Sequence, residues 1–281
     1  MKAERRWAAA EAPSLGAITK VVFPMNQCRL CGNNNKLIKA HVIPEAFFRE
    51  IVIGDEGAHL ISGSPGELPK RSPIGVYDRE ILCDQCEVKF GRVDDYGVLV
   101  LLKRFHELFL PIINEKRIVG YQAENINQDL LLRFLVSTLW RASVSTQPFY
   151  DSIDLGPLES LARQTILNPN TPVPIQFTAM LWSWNPNNDS YIATKSLMNP
   201  FHINGQTINT YRFYFGEVAA DIIADTQPIP DNTRILHLLE GPSVIIVARE
   251  FTTSKDYAAI IHTVKQSSIN VRERHGNRRI E

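Results

Sequence analysis

The four cysteines of this chain fall into two pairs, and two residues separate the members of each pair. Cys28 and Cys31 form the first pair, and Cys83 and Cys86 form the second. Two such pairs can supply four thiolates to one tetrahedral ion, most often Zn²⁺. Because four thiolates leave no open coordination position, the spacing predicts a structural zinc site, with an iron–sulfur cluster as the less favoured alternative.

A histidine and two acidic residues accompany the cysteines. His41 lies between the pairs, Glu87 directly follows Cys86, and Asp94 lies seven residues after Glu87. An imidazole titrates near neutral pH and can take a proton from water, while carboxylate oxygens can bind a hard cation. A base and a carboxylate beside a zinc-bound segment indicate cleavage of phosphodiester bonds.

Each of these residues also has a purely structural interpretation. A lone histidine such as His41 is more often a buried, hydrogen-bonded side chain, and only its place between the Cys pairs favours catalysis. Glu87 would equally suit the first turn of a helix as a favourable charge. Asp94 and Asp95 would be solvated caps of the next helix.

Two strands and a helix are predicted to position these side chains. The predicted elements are strands at 36–43 and 76–82, separated by a loop at 54–73 that is rich in Gly, Pro and Ser. Asp84 suits a helix N-cap, so a helix is predicted to begin directly after it. Glu87 and Asp94 would then lie two turns apart on one face of this helix.

The combined motif has a family resemblance. Cys28-x-x-Cys31, His41-Val-Ile-Pro and Leu-Cys83-x-x-Cys86-Glu87 together resemble the HNH, or His-Me finger, endonucleases over roughly residues 25–100. Members of that family have a ββα-metal core, often held by zinc between two C-x-x-C pairs.

The resemblance implies a role for each residue of the candidate site. His41 would be the general base, Glu87 would stand where the family places a metal-binding His or Asn, and Asp94 would be an outer or second ligand of Mg²⁺ or Mn²⁺. Ala40 departs from the family, because many members place Asp or His immediately before the base.

The resemblance also implies a function. The expected activity is metal-dependent hydrolysis of nucleic acid, with double-stranded DNA as the expected partner and bacterial defence as the expected setting. The alternative is a catalytically inactive zinc module that binds nucleic acid or a protein, and Ala40 favours this alternative. A nuclease that stays silent until a partner engages its C-terminal part is a third possibility.

The whole chain is predicted to be α+β, with a zinc-stapled ββα-metal unit followed by helices and a mostly antiparallel sheet. We expect an N-terminal arm over 1–22, a nuclease domain over 23–120, and a C-terminal α+β domain of unknown role over 121–281. This last domain could select substrate, regulate the nuclease, or engage a protein partner or a second copy. The other predicted elements are helices at 96–113, 128–143, 154–167 and 255–264, a strand at 175–184, and hairpins at 201–215 and 234–248.

Two side-chain patterns in the later elements could concern nucleic acid. Arg133, Ser137 and Arg141 recur at four-residue intervals on an otherwise apolar helix, which predicts a solvated stripe rather than phosphate contacts. Aromatic residues alternate within 211–215, which indicates a sheet face packed in the core rather than a platform for base stacking.

Composition narrows the class of protein. Basic and acidic residues number 30 each, so the net charge is zero and any basic surface must be local. Basic residues in and near the cysteine-bearing segment could neutralise phosphates, but an ordinary solvated surface is the other interpretation, because acidic residues are mixed among them. They are Arg29, Lys36, Lys39, Arg49, Lys70, Arg71, Arg79, Lys89, Arg92, Lys103 and Arg104. There is no Walker loop, dinucleotide-binding glycine pattern or G-x-S-x-G elbow. The chain has no apolar run that could span a bilayer and makes a poor signal peptide, so we expect a cytoplasmic protein with no membrane partner.

Overall fold

The computed structural model describes residues 27–50, 59–72, 74–185, 201–203 and 208–277, which form a mixed α+β fold. The strands are β1 (Ala40–His41), β2 (His59–Leu60), β3 (Lys70–Arg71), β4 (Tyr77–Asp78), β5 (Leu110–Asn114), β6 (Arg117–Ala123), β7 (Phe177–Trp184), β8 (Phe201–His202), β9 (Thr210–Phe215), β10 (Val218–Ala224) and β11 (Val244–Arg249). The α-helices are α1 (Glu45–Arg49), α2 (Asp84–Glu87), α3 (Gly91–Val98), α4 (Phe105–Leu108), α5 (Gln128–Val144), α6 (Glu159–Leu167) and α7 (Lys255–Asn277). Within these ranges, no helix combines the length and apolar character that crossing a bilayer requires.

A seven-stranded sheet forms the centre of the described fold, in the order β5-β6-β11-β7-β10-β9-β8. Its strands are antiparallel except for the β7–β11 pair, as predicted for a mostly antiparallel sheet. The pairing of β8 with β9 confirms the first predicted hairpin, although its Asn-Gly turn lies outside the described residues. The second predicted hairpin is wrong. Residues 234–236 form a 3₁₀ turn, and β11 instead lies between β6 and β7, where Val244 and Ile246 are buried.

Helix α5 packs against the sheet and forms the main core with it. Every residue from 131 to 142 in α5 is buried, as expected of a helix surrounded by other elements. The same core cluster contains residues of the cysteine-bearing segment and of the sheet. The predicted boundary between residues 120 and 121 falls inside β6, and β5 and β6 extend the sheet that the later strands build. The two predicted parts therefore share one core.

The cysteine-bearing segment is less regular than predicted. Strands β1 and β4 replace the longer strands expected at 36–43 and 76–82, and they pair Ala40 with Asp78 and His41 with Tyr77. Ala40 and Asp78 are fully buried, so the opposite face of this short ladder carries His41 and Tyr77 outward. Among the described residues, a ββα-metal unit of the predicted form is not shown.

The helix predicted after Asp84 is also interrupted. Helix α2 ends at Glu87 and α3 begins at Gly91, so Glu87 and Asp94 lie on separate helices and the predicted shared face is wrong. At the break, Phe90 is buried and stacks on Trp140 of α5, with ring centroids 6.2 Å apart. Burial of this ring, together with the low helix propensity of Gly91, accounts for the interruption.

The helix predicted at 96–113 ends early. Helix α3 continues as a π-helical turn over Leu99–Lys103, and α4 ends at Leu108. Residues 110–113 belong to β5, where Pro111 is tolerated because β5 is an edge strand of the sheet.

Helix α7 covers the other face of the sheet and is longer than the helix predicted at 255–264. Its residues Tyr257 and Ile260 pack against a second apolar cluster that includes Trp182. Asp256 is 3% exposed. Both of its carboxylate oxygens accept hydrogen bonds from the guanidinium of Arg212 on β9, at 3.0 and 2.9 Å. This ion pair fixes the beginning of α7 on the sheet.

Asn270, nearer the end of α7, binds the loop that joins β2 to β3. Its Oδ1 accepts a hydrogen bond from the backbone N–H of Gly66 at 3.0 Å. Its Nδ2 donates to the carbonyls of Ser64 at 2.9 Å and Glu67 at 2.7 Å. Because the Asn270 side chain is almost fully buried, α7 links the sheet firmly to the segment that lies between the two cysteine pairs.

Candidate metal centre and the adjacent polar site

The two cysteine pairs, which are far apart in the sequence, come together in the structure. Their sulfur atoms all lie within 4.8 Å of one another, and the sulfurs of Cys31 and Cys83 are 3.9 Å apart. A tetrahedral zinc ion with Zn–S bonds of about 2.3 Å holds its sulfurs roughly 3.8 Å apart. Cys28, Cys31, Cys83 and Cys86 can therefore bind one zinc ion, as the sequence predicted.

A tight turn positions the first cysteine pair. The N–H of Gly32 donates to the carbonyl of Cys28 at 2.8 Å, and the N–H of Cys28 donates to the carbonyl of Asn33 at 3.0 Å. Gly32 has a φ of 77°, a value that glycine adopts without the steric cost other residues pay. Arg163 of α6 donates to the carbonyl of Leu30 at 2.6 Å, which attaches the turn to the helical layer.

The second pair is positioned by the start of α2. The N–H groups of Cys86 and Glu87 both donate to the carbonyl of Cys83 at 3.0 Å. The N–H of Cys83 points in turn at the Cys28 sulfur, 3.4 Å away. An N–H donor of this kind stabilises negative charge on a thiolate ligand. This contact from Cys83 to Cys28 also links the two cysteine pairs directly.

Burial and hydrogen bonding shift the pKa values of three of these thiols. Burial raises the pKa of Cys28, but backbone hydrogen bonds from Cys31, Cys83 and Leu30 outweigh it and bring that pKa to about 7. Burial and the neighbouring sulfurs raise the pKa of Cys86 well above its ordinary value. Cys28 thus ionises readily, whereas burial raises the pKa of Cys31 and of Cys86. Binding of a divalent cation favours the ionised form of thiolate ligands.

His41 lies at the end of β1 with a half-buried ring. Its Nε2 is 3.0 Å from the carbonyl oxygen of Ile74 and 4.0 Å from Oε2 of Glu45. A carbonyl oxygen can only accept a hydrogen bond, so this contact requires the proton on Nε2 and leaves the lone pair on Nδ1. Burial lowers the pKa of His41. The hydrogen bond with Ile74 and the charge of Glu45 raise this pKa, and the charges of Lys39 and Arg141 lower it. The net shift is below the ordinary value.

Arg141 is the residue that sequence reasoning misjudged. The predicted solvated stripe on α5 is wrong, because Arg133, Ser137 and Arg141 are all buried and Arg141 is 0% exposed. The Arg141 guanidinium donates to both carboxylate oxygens of Asp94, at 2.7 and 2.6 Å, and to the main-chain carbonyl of His41 at 3.0 Å. A charged side chain this deeply buried requires a partner, and Asp94 supplies it.

Glu87 interacts electrostatically with both members of this ion pair. Its Oε2 is buried and has no hydrogen-bond partner among the described residues. Burial raises the pKa of Glu87, the charge of Arg141 lowers it and that of Asp94 raises it, with a net shift above the ordinary value. The Nε of Arg141 is likewise buried and unpartnered among the described residues.

The predicted site residues His41, Glu87 and Asp94 therefore interact with the Arg141 guanidinium instead of facing one metal site. The His41 ring contacts Ile74, Glu45 and Tyr77, whereas Glu87 interacts electrostatically with Arg141 and Asp94. Asp94, predicted as a metal ligand, has both oxygens bound by the guanidinium. The sequence signal available for Arg141 was an arginine among the large apolar side chains of α5.

Comparison of the chain with protein-family models, with curated proteins and with solved structures found no match. The structural finding that bears on the family resemblance is the four-cysteine cluster, which is close enough to bind a metal ion.

Proposed function

We propose that the protein is a metal-dependent endonuclease that hydrolyses phosphodiester bonds, with duplex DNA as its substrate and His41 as its general base. The observation that carries the proposal is the hydrogen bond between His41 Nε2 and the carbonyl of Ile74, 3.0 Å apart. This bond fixes the ring and its tautomer, so that Nδ1 carries the lone pair that takes a proton from water. The zinc ion is structural in this proposal, and its four thiolates hold the two halves of the segment together.

Glu87 is the residue that would hold the second cation, Mg²⁺ or Mn²⁺. A buried carboxylate oxygen without a partner carries an unmet electrostatic requirement, and a hard cation meets it. Such an ion, when bound, stabilises the negative charge on the phosphate and on the departing 3′ oxygen. Asp94 holds Arg141 in place, and Arg141 donates to the carbonyl of His41, so this pair positions the base rather than ligating the ion.

Replacing His41 by alanine is the direct test of the proposed base. We expect His41→Ala to reduce the rate of plasmid nicking in Mn²⁺ by about 10²–10⁴-fold, the usual contribution of a general base. Zinc content should stay unchanged, because His41 is not a zinc ligand. His106→Ala is the matched control, since His106 is 71% exposed and its ion pair with Glu217 lies at the surface. Equal nicking by wild type and His41→Ala would remove His41 from its role.

The pH dependence of nicking provides a second test. The base must be neutral to accept a proton, and burial lowers the pKa of His41 below its ordinary value of about 6.5. The rate should therefore be constant around neutral pH and fall only as the pH drops through this lowered pKa. The measurement is the initial nicking rate in saturating Mn²⁺ between pH 4.5 and 8. An inflection above pH 6.5 would contradict the assignment.

Two observations favour the alternative, a catalytically inactive zinc module that binds nucleic acid or a protein. Ala40 stands where a further ligand would be expected, and its side chain is fully buried. Asp94 has both oxygens on Arg141, which leaves Glu87 as the one predicted carboxylate without a partner. This alternative predicts the absence of nicking in Mg²⁺ and in Mn²⁺. The predicted contact of residues 121–281 with a protein partner or a second copy stays a prediction.

A further inference from the structure

The outward face of the β1–β4 ladder carries positive charge beside His41. The strand register pairs His41 with Tyr77 and Ala40 with Asp78, and one further step in the same register places Lys39 opposite Arg79. Alternate residues of a strand point to the same side, so Lys39 and Arg79 share the face of His41 and Tyr77. Both cations are exposed.

One aromatic ring holds the two cations together. The Nζ of Lys39 lies 4.0 Å from the centroid of the Tyr77 ring, and the Cζ of Arg79 lies 5.7 Å from it. The His41 ring meets the same tyrosine edge to face, with centroids 5.9 Å apart. Tyr77 thus orients both cations through cation–π contacts and keeps them next to the imidazole.

Within the described part of the chain, Lys39 and Arg79 lie close together without a negative charge between them to offset their repulsion. Like charges directly opposite each other on paired strands repel. Among the described residues, neither Lys39 nor Arg79 forms an ion pair, and the nearby Glu45 carboxylate is paired with Arg49. An anion placed between the two cations would remove the repulsion.

We propose that Lys39 and Arg79, oriented by Tyr77, form a clamp for the phosphate backbone of nucleic acid beside His41. The inference rests on the proposed function for the identity of the anion, because the clamp lies next to the proposed base and would hold a phosphate there. Lys39 occupies a face of the Tyr77 ring, so the ring supports a cation instead of stacking on a base. The clamp therefore contacts the backbone and has no means of reading sequence.

Salt-dependent binding tests the clamp independently of cleavage. The probe is a fluorescently labelled 25-base-pair duplex. His41→Ala protein is added to it without divalent cations at several KCl concentrations, and binding is followed by fluorescence anisotropy. Each lost phosphate contact reduces the slope of log K against log salt by about 0.9 for duplex DNA. Lys39→Gln and Arg79→Gln, each added to His41→Ala, should reduce the slope by about one and weaken binding equally for unrelated sequences.

Lys116→Gln is the matched control, because it removes the same charge from an exposed turn between β5 and β6. It should leave the slope unchanged. The clamp is overturned if Lys39→Gln and Arg79→Gln also leave the slope unchanged, or if the duplex does not bind while vesicles containing phosphatidylserine or a polyglutamate peptide do. If the slopes are reduced but wild type never nicks DNA, the clamp is supported and the proposed catalysis is refuted. Nicking by wild type with unchanged slopes would do the reverse.

Discussion

Cys83→Ser should lose its zinc and much of its stability. Cys83 is fully buried and its sulfur lies in the four-cysteine cluster, so serine replaces a ligand that has no substitute among the described residues. Metal binding free energy is folding free energy when the site exists only in the folded chain. We expect the free energy of unfolding to fall by at least about 4 kcal/mol, the range associated with loss of a structural metal.

The measurements are metal analysis and thermal unfolding. Wild type should contain about one zinc per chain, and Cys83→Ser much less. A loss of this size should lower the melting temperature by roughly 8 °C or more. Val88→Ser is the control, because Val88 follows the same short helix and is 80% exposed. A Cys83→Ser protein with unchanged zinc content and melting temperature would show that the cluster is not a metal centre.

Arg141→Met should be the next most damaging substitution. It leaves the Asp94 carboxylate, 19% exposed, without the guanidinium that binds both of its oxygens, and it removes a donor from the carbonyl of His41. Breaking a buried ion pair from one side typically costs about 3–5 kcal/mol. Because Asp94 keeps some contact with solvent, we expect about 3 kcal/mol, measured by urea unfolding.

A double-mutant cycle separates the pair from other effects of Arg141. Removing both charges in Asp94→Leu/Arg141→Met should cost less than the sum of the two single changes, because neither charge is then left unpaired. Arg104→Met provides the matched control, since Arg104 is 45% exposed and pairs with Glu107 at the surface. That change should leave stability nearly unaltered. Additive costs in the cycle would mean that the two side chains do not act as a pair.

Local patterns in the sequence were sufficient for the parts of the fold that depend on local chemistry. The spacing of Cys28, Cys31, Cys83 and Cys86 predicted their meeting, because four thiols in two pairs have few other uses. Helix α5 and strand β7 were also predicted, since both are rich in large apolar residues.

Features that depend on distant partners could not be read in the same way. Arg141 looked like a solvent-facing residue because its partner, Asp94, lies 47 residues earlier in the chain. Strand β10 was not predicted, since its seven residues are all buried and it shows no alternation that would mark a strand. The irregular β1–β4 ladder and the break before Gly91 follow from tertiary packing that overrides local propensity.

The position of Asn270 has a consequence for how the protein is made. The loop it binds, residues 64–67, is translated some 200 residues before it. The cysteine pairs can therefore gather around an ion while the ribosome is still working. The segment between them gains its anchor only after α7 has emerged, so the candidate site is completed later in synthesis than the gathering of the cysteines.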